Sequence, residues 1–162
     1  MAATGEWVLL AYRIPREPST PRIAVWRKLR RLGAVQLLDG LVGLPSDSRS
    51  KERLEWIADE VVTAGGEASI WLAHPTTKAQ ARALATQMAG DVETEYDELV
   101  NAATGALDES PGTRKRTVAR LRRDLAHIRQ RDHFPKRGYE RATSAINRVE
   151  ASVAKDELAG RR

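Results

Sequence analysis

Along Glu6–Ile14 the apolar residues Trp7, Val8, Leu9, Leu10 and Ala11 run almost without interruption, as in a strand covered on both faces. Arg16 to Pro18 breaks that run, and the apolar spacing then becomes helical. Val25, Leu29 and Leu32 share one face, with Trp26 beside them. Ser19 and Thr20 are N-cap types, Pro21 suits the first helical position, and Gly33 suits the exit. Residues 34–38 and 41–44 read as short strands around Asp39-Gly40, a pair favoured in tight hairpins, and Pro45 ends the second. Ser46, Asp47 and Ser48 offer caps to a helix whose apolar positions are Leu54, Ile57, Ala58, Val61 and Val62, stopped by Gly65-Gly66. Residues 68–73, ASIWLA, make a fourth strand.

This order, β-α-β-β-α-β, is the split arrangement of a ferredoxin-like α+β core, with two helices expected on one face of a four-stranded antiparallel sheet. The remainder of the chain reads as helix only. A short helix is expected over Pro75–Met88, and Val92, Tyr96, Leu99, Val100, Ala103 and Leu107 keep a helical period over four turns. Glu109 to Gly112 breaks the pattern. Val118, Leu121, Leu125 and Ile128 are spaced three, four and three, as in a helix–helix seam. Pro135 to Gly138 turns the chain, and Ala142, Ile146, Val149 and Val153 form the facing stripe. The spacing thus predicts an antiparallel hairpin of helices over 113–131 and 139–155. The expected organisation is a ferredoxin-like core over 1–90 and a helical extension over 91–162, packed on or beside it. The end is expected to fray from Leu158.

Composition adds constraints. With 41% hydrophobic and 5% aromatic residues, the core must lean on Leu, Val and Ala. Trp7, Trp26 and Trp71 occupy positions expected to be buried, whereas Trp56 falls off the apolar face of its helix. The chain has no cysteine, which removes disulfides, thiolate metal sites and cysteine nucleophiles and fits a cytoplasmic location. No charge-free run approaches the roughly 18 residues of a membrane span. The opening MAATGEWVLLAYR lacks a basic segment and a long apolar core, so no signal peptide is expected.

The net charge of +5 is unevenly spread. Residues 90–110 hold seven acids (Asp91, Glu93, Glu95, Asp97, Glu98, Asp108, Glu109) and no base, whereas residues 111–141 hold eleven bases against Asp124, Asp132 and Glu140. Within the basic segment Arg116, Arg120, Arg123, His127 and Arg131 step along one helical side, opposite the apolar seam, which Lys115, Arg122 and Arg129 flank. Such a stripe can follow a phosphate backbone, since guanidinium groups bind phosphate bidentately and displace counterions. It can equally be a solvated helix face, or one of two helices pairing with each other. No aromatic residues interleave, so single-strand stacking is not suggested there. The first helix carries Arg22, Arg27, Lys28, Arg30 and Arg31. They can meet an anionic partner, or pair with Glu52, Glu55, Asp59 and Glu60 of the second helix. The residues singled out for nucleic-acid contact are Arg116, Arg120, Arg123, Arg131, Arg122 and Arg129, with Arg27, Arg30 and Arg31.

Several segments carry a resemblance. WVLLAYRIP, WRKLRRLGA, LVGLP, the GGEA turn and LRRDLAHIRQRDHFP, in this order and spacing, resemble the N-terminal domain of the chromate-resistance regulator family ChrB over nearly the whole chain. A more distant similarity runs to the central domain of the PaaX repressors. The resemblance implies transcriptional control linked to chromate, in bacteria. Longer members carry a C-terminal domain associated with chromate response, to which no segment here corresponds. The expectation is a stand-alone N-terminal-like domain that associates with duplex DNA and has no chromate-sensing domain of its own. A second copy of the chain or a separate sensor protein are further candidate partners, and no membrane is expected. The alternative is a non-catalytic interaction or dimerisation module that does not bind DNA.

The core elements also resemble the small CRISPR-associated nuclease of spacer acquisition, which holds a metal through a carboxylate just after its first strand. Here Arg13 stands in that place, and a guanidinium repels a divalent cation. His74, His127 and His133 do not have the spacing of a zinc site, and the Asp132–His133 pair reads as a helix-end pair rather than as ligands. No nucleophile elbow or phosphate loop is present, since Gly65-Gly66 lies at a helix end rather than opening one. No catalytic residue, metal or cofactor is therefore expected.

Overall fold

The computed structural model describes residues 5–161. Part of the segment read for a signal peptide, residues 1–4, lies outside them. The elements are β1 (Trp7–Arg13), α1 (Ser19–Leu32), β2 (Val35–Leu38), β3 (Leu41–Pro45), α2 (Ser48–Thr63), β4 (Glu67–Ala73), α3 (Lys78–Ala106), α4 (Pro111–Gln130) and α5 (Gly138–Ala159). The chain divides into two compact units between Met88 and Ala89.

In the first unit a four-stranded sheet has the order β2-β3-β1-β4, with every neighbouring pair antiparallel. The apolar run of the opening strand explains its central place. Leu10 pairs with Val42 on one side and Ile70 on the other, and Val8 and Leu10 are fully buried. Leu54, Ile57 and Val61 bury the inner stripe of α2, which packs on β1 and β4, while α1 packs against α2 through a face holding Val25 and Leu29. Gly33 leaves α1 in the left-handed conformation (φ 71°), as its position after the last helical turn suggests. Gly40 turns the hairpin at φ 75°, and a Cβ there would come within 2.4 Å of the Tyr12 carbonyl oxygen. The Tyr12 amide donates to the Gly40 carbonyl at 2.8 Å, so the turn is fastened to the end of β1.

Several local expectations need correction. Ser19 and Thr20 lie inside α1, whose N-cap is Pro18 and carries no side-chain cap bond. Of the three caps offered to α2, by contrast, Asp47 is the one in place, accepting from the Ser50 amide at 2.6 Å. Val62 is exposed, one residue past the buried stripe. Of the three tryptophans expected inside, only Trp7 is buried, at 2% exposure; Trp26 is 49% and Trp71 60% exposed. Trp26 lies about 100° around the helix from Val25, outside the buried face. Trp71 stands on β4, an edge strand, where its indole N–H donates to Ser69 Oγ at 2.8 Å.

The two helices expected over residues 75–107 are one, α3. Gly90 lies within it, and a lone glycine costs a helix only about 1 kcal/mol, which buried Met88, Ala89 and Val92 around it offset. Leu107 falls past the helix end and is exposed, and α5 runs on to Ala159 through the segment expected to fray.

The second unit is a helical bundle. Its core joins Tyr96, Leu99 and Ala103 of α3 to Leu121, Leu125 and Ile128 of α4 and to Ala142, Ile146 and Val149 of α5. The expected α4–α5 hairpin is present and antiparallel: Arg114 at the start of α4 bonds Asp156 near the end of α5 at 2.8 Å.

Candidate functional site

The α4 seam residues Val118, Leu121, Leu125 and Ile128 are all buried, which turns the opposite side of the helix outward. Arg116, Arg120 and Arg123 are exposed there, and among the described residues no carboxylate lies within ion-pair distance of them. Arg116 donates to the nearby Thr113 hydroxyl at 3.3 Å.

The other expected α4 contacts are engaged inside the unit. Arg131 is held by both carboxylate oxygens of Glu95. Arg122 donates to Asn147 and Glu150, each at 2.6 Å. The guanidinium of Arg129 stacks 4.4 Å from the centre of the Tyr139 ring and lies 4.0 Å from Asp132. Arg120, His127 and Arg131 also line a groove of about 410 Å³ together with Glu95, Glu98 and Asp124, which lowers the positive potential along that edge. Much of the acid-then-base asymmetry in the sequence is thus internal pairing: Arg141 of α5 likewise bridges Glu93 at 3.0 Å and Asp97 at 2.7 Å of α3.

Asp132 anchors the end of this arrangement. Its side chain is 3% exposed and accepts from the Tyr96 hydroxyl at 3.1 Å. Burial, and then the nearby Asp132 charge, raise the Tyr96 phenol above its ordinary pKa of 10.0.

On the first unit, Lys28 alone among the α1 bases finds a carboxylate among the described residues, that of Glu60 on α2. Arg30 lies 5.0 Å from the centre of the Trp26 ring, and Arg27 and Arg31 have no ion-pair partner among the described residues. Arg13, where a nuclease would present an acid, ends β1 and pairs with Glu67 of β4 at 2.8 Å. Among the described residues no group of three or more His, Asp or Glu side chains is placed to hold a metal, and no helix is long and apolar enough to cross a membrane.

Sequence reasoning missed a second feature. Beside α1 lies a groove of about 820 Å³, lined by Arg22, Trp26 and Arg27 of that helix, by Arg16 of the loop after β1 and by Asp39 of the β2–β3 hairpin. The i,i+4 pairs Arg22–Trp26 and Ile23–Arg27 were a legible signal on the helix. The approach of Asp39 depends on the fastening of the hairpin turn to β1, which spacing does not reveal.

A family model described as "Protein ChrB, N-terminal" matches residues 22–157. Protein ChrB of Cupriavidus metallidurans is 32% identical over 143 residues, an alignment that covers 84% of this chain and 43% of the relative. The chain therefore spans less than half the length of that curated relative. No solved structure matches.

Proposed function

The chain belongs to the ChrB N-terminal family, and from that premise we propose that it is a DNA-associated regulatory module of chromate resistance. In this reading Arg116, Arg120 and Arg123 lie along the phosphate backbone of a duplex. The observation that carries it is the sorting of charge on α4. Arg122, Arg129 and Arg131 are occupied within the bundle, while these three arginines are exposed with no carboxylate partner among the described residues. Phosphate contacts of this kind set affinity and orientation but hold little sequence information, so this helix alone confers weak selectivity.

The test is a DNA-binding titration across salt concentrations. Replacing Arg120 and Arg123 together by Gln weakens binding to all duplexes similarly, and the slope of log K against log salt falls by about 0.9 for each phosphate no longer neutralised. Thermal stability stays nearly unchanged, because the apolar seam is untouched. A double variant with the wild-type slope would show that the stripe is not the contact surface.

The sheet order β2-β3-β1-β4, with its antiparallel neighbours, supports reading the first unit as ferredoxin-like. The Arg13–Glu67 pair supports a role without metal-dependent cleavage, because the side chain at the end of β1 is a cation already satisfied by a carboxylate. The module is read as cytoplasmic, in keeping with a DNA partner and a cysteine-free sequence.

A second reading, an interaction or dimerisation module, is favoured by the exposure of Trp56 and Val62 on α2 and of Trp71 and Leu72 on β4. It becomes the better one if the wild type shows no DNA binding even at low salt and instead self-associates, or binds a sensor protein, independently of salt.

A further inference from the structure

We propose that the groove beside α1 binds a nucleotide, with the base against Trp26 and the phosphate among Arg16, Arg22 and Arg27. The site lies wholly within the first unit and does not depend on the α4 contact.

Three observations converge. The groove, about 820 Å³, falls in the range of small-molecule sites. Its arginines are uncompensated: Arg16, Arg22 and Arg27 have no carboxylate within ion-pair distance among the described residues, whereas Arg13 at the same rim is neutralised by Glu67. Three guanidiniums facing one space repel each other, and a phosphate relieves that repulsion while accepting their forked donors. The wall is also apolar and aromatic, since Ile23 and Trp26 line it and both are left open to solvent. Arg30, which stacks on Trp26, does not line the groove.

The remaining lining groups narrow the ligand. A bare inorganic oxyanion would use the arginines but leave Ile23 and Trp26 wet, and it would be repelled by Asp39. The Asp39 carboxylate accepts from the Gln36 amide at 3.3 Å and keeps acceptor capacity free. It complements a planar group that donates hydrogen bonds, such as the exocyclic amino group of a base. A ligand with an anionic end, a stacking body and a donor edge is a nucleotide. An amino-bearing base is therefore preferred over one with a carbonyl at the same position.

That nucleotide can be free or can be an unpaired residue of a single strand. The experiment titrates the full chain with AMP, IMP, a short oligodeoxyadenylate and inorganic phosphate, following tryptophan fluorescence and calorimetry. AMP or the oligonucleotide binds, AMP wherever it binds is preferred to IMP, and phosphate at equal concentration binds far more weakly. Binding of AMP assigns the free ligand, and binding of the oligonucleotide alone assigns the unpaired strand. Trp26→Leu lowers affinity by about tenfold or more. Arg22→Gln with Arg27→Gln does the same, and Asp39→Asn narrows the preference for AMP over IMP. Circular dichroism confirms that these variants remain folded.

The Arg120→Gln/Arg123→Gln protein retains this binding, so a failure of the duplex-DNA reading leaves the groove proposal standing. The proposal is overturned if neither nucleotide form binds at millimolar concentration, or if phosphate binds as tightly as AMP. Wild-type affinity in Trp26→Leu overturns it too, as does equal loss in the Arg120→Gln/Arg123→Gln protein.

Discussion

The two units handle aromatic and charged residues in opposite ways. The helical unit encloses Tyr96 completely and turns much of its charge on itself, through Arg114–Asp156, Arg122–Glu150, Arg131–Glu95 and the double bridge of Arg141. The sheet unit leaves Trp26, Trp56 and Trp71 open to solvent and, among the described residues, pairs one α1 base, Lys28. Formal charge along the chain ranks residues 111–141 as the more positive region, but formal charge is not available charge. A guanidinium held by a carboxylate contributes little to the outward field, because the two potentials nearly cancel beyond a few ångströms. The α1 region, with fewer bases, retains a larger fraction of them for a ligand.

The contrast can be broken most forcefully in the core of the bundle. Leu125→Ala removes a buried seam residue and should cost about 2–4 kcal/mol in urea unfolding. A loss below about 0.5 kcal/mol, typical of a surface change, would show that the seam is not a packed interior.

Next in size is Tyr96→Phe, which deprives the nearly enclosed Asp132 carboxylate of a hydrogen-bond donor, at an expected cost of about 1–3 kcal/mol at neutral pH. The same residue carries a pH signature. Because the folded state favours the neutral phenol, its stabilisation is intact below the ordinary pKa of 10.0 and declines as pH rises above it. The Phe variant should therefore lose less stability than the wild type between neutral and strongly alkaline pH. Tyr12, also raised, first by burial and then by Asp39, accounts for some remaining decline. Parallel alkaline unfolding curves for the two proteins would remove Tyr96 from the explanation.

The smallest effects sharpen the comparison of charges. Arg131→Gln strands Glu95 in a partly buried setting and should cost about 1 kcal/mol. Arg27→Gln, with no ion pair to lose, should stay within about 0.5 kcal/mol of the wild type. Equal costs in thermal melts would mean that the difference in pairing has no energetic content.

The architecture was legible where one short-range signal decided it. Asp39-Gly40 located the hairpin, Gly33 the end of α1, and the three-four-three spacing from Val118 to Ile128 the α4 seam. Less was legible where the outcome depended on a distant element. Trp71 is as apolar as Trp7, and what separates them is the position of β4 at the edge of the sheet and of β1 at its centre. The same limit applied to the candidate site. The helical period placed the α4 arginines on a common side, but which of them would be claimed by α3 and α5 depends on how three helices meet. The charge reversal between residues 90–110 and 111–141 was itself the clue, since oppositely charged neighbouring helices can satisfy each other.

The fastened turn at Gly40 has a bearing on how this family can vary. Hairpin tips are ordinarily hospitable places for added residues, because they project into solvent and answer to nothing beyond their own strands. This one shares a backbone hydrogen bond with Tyr12 and approaches that residue too closely to admit a side chain. Length variation among relatives should therefore avoid the β2–β3 tip, and a reporter tag inserted there would disturb the end of β1 as well as the turn.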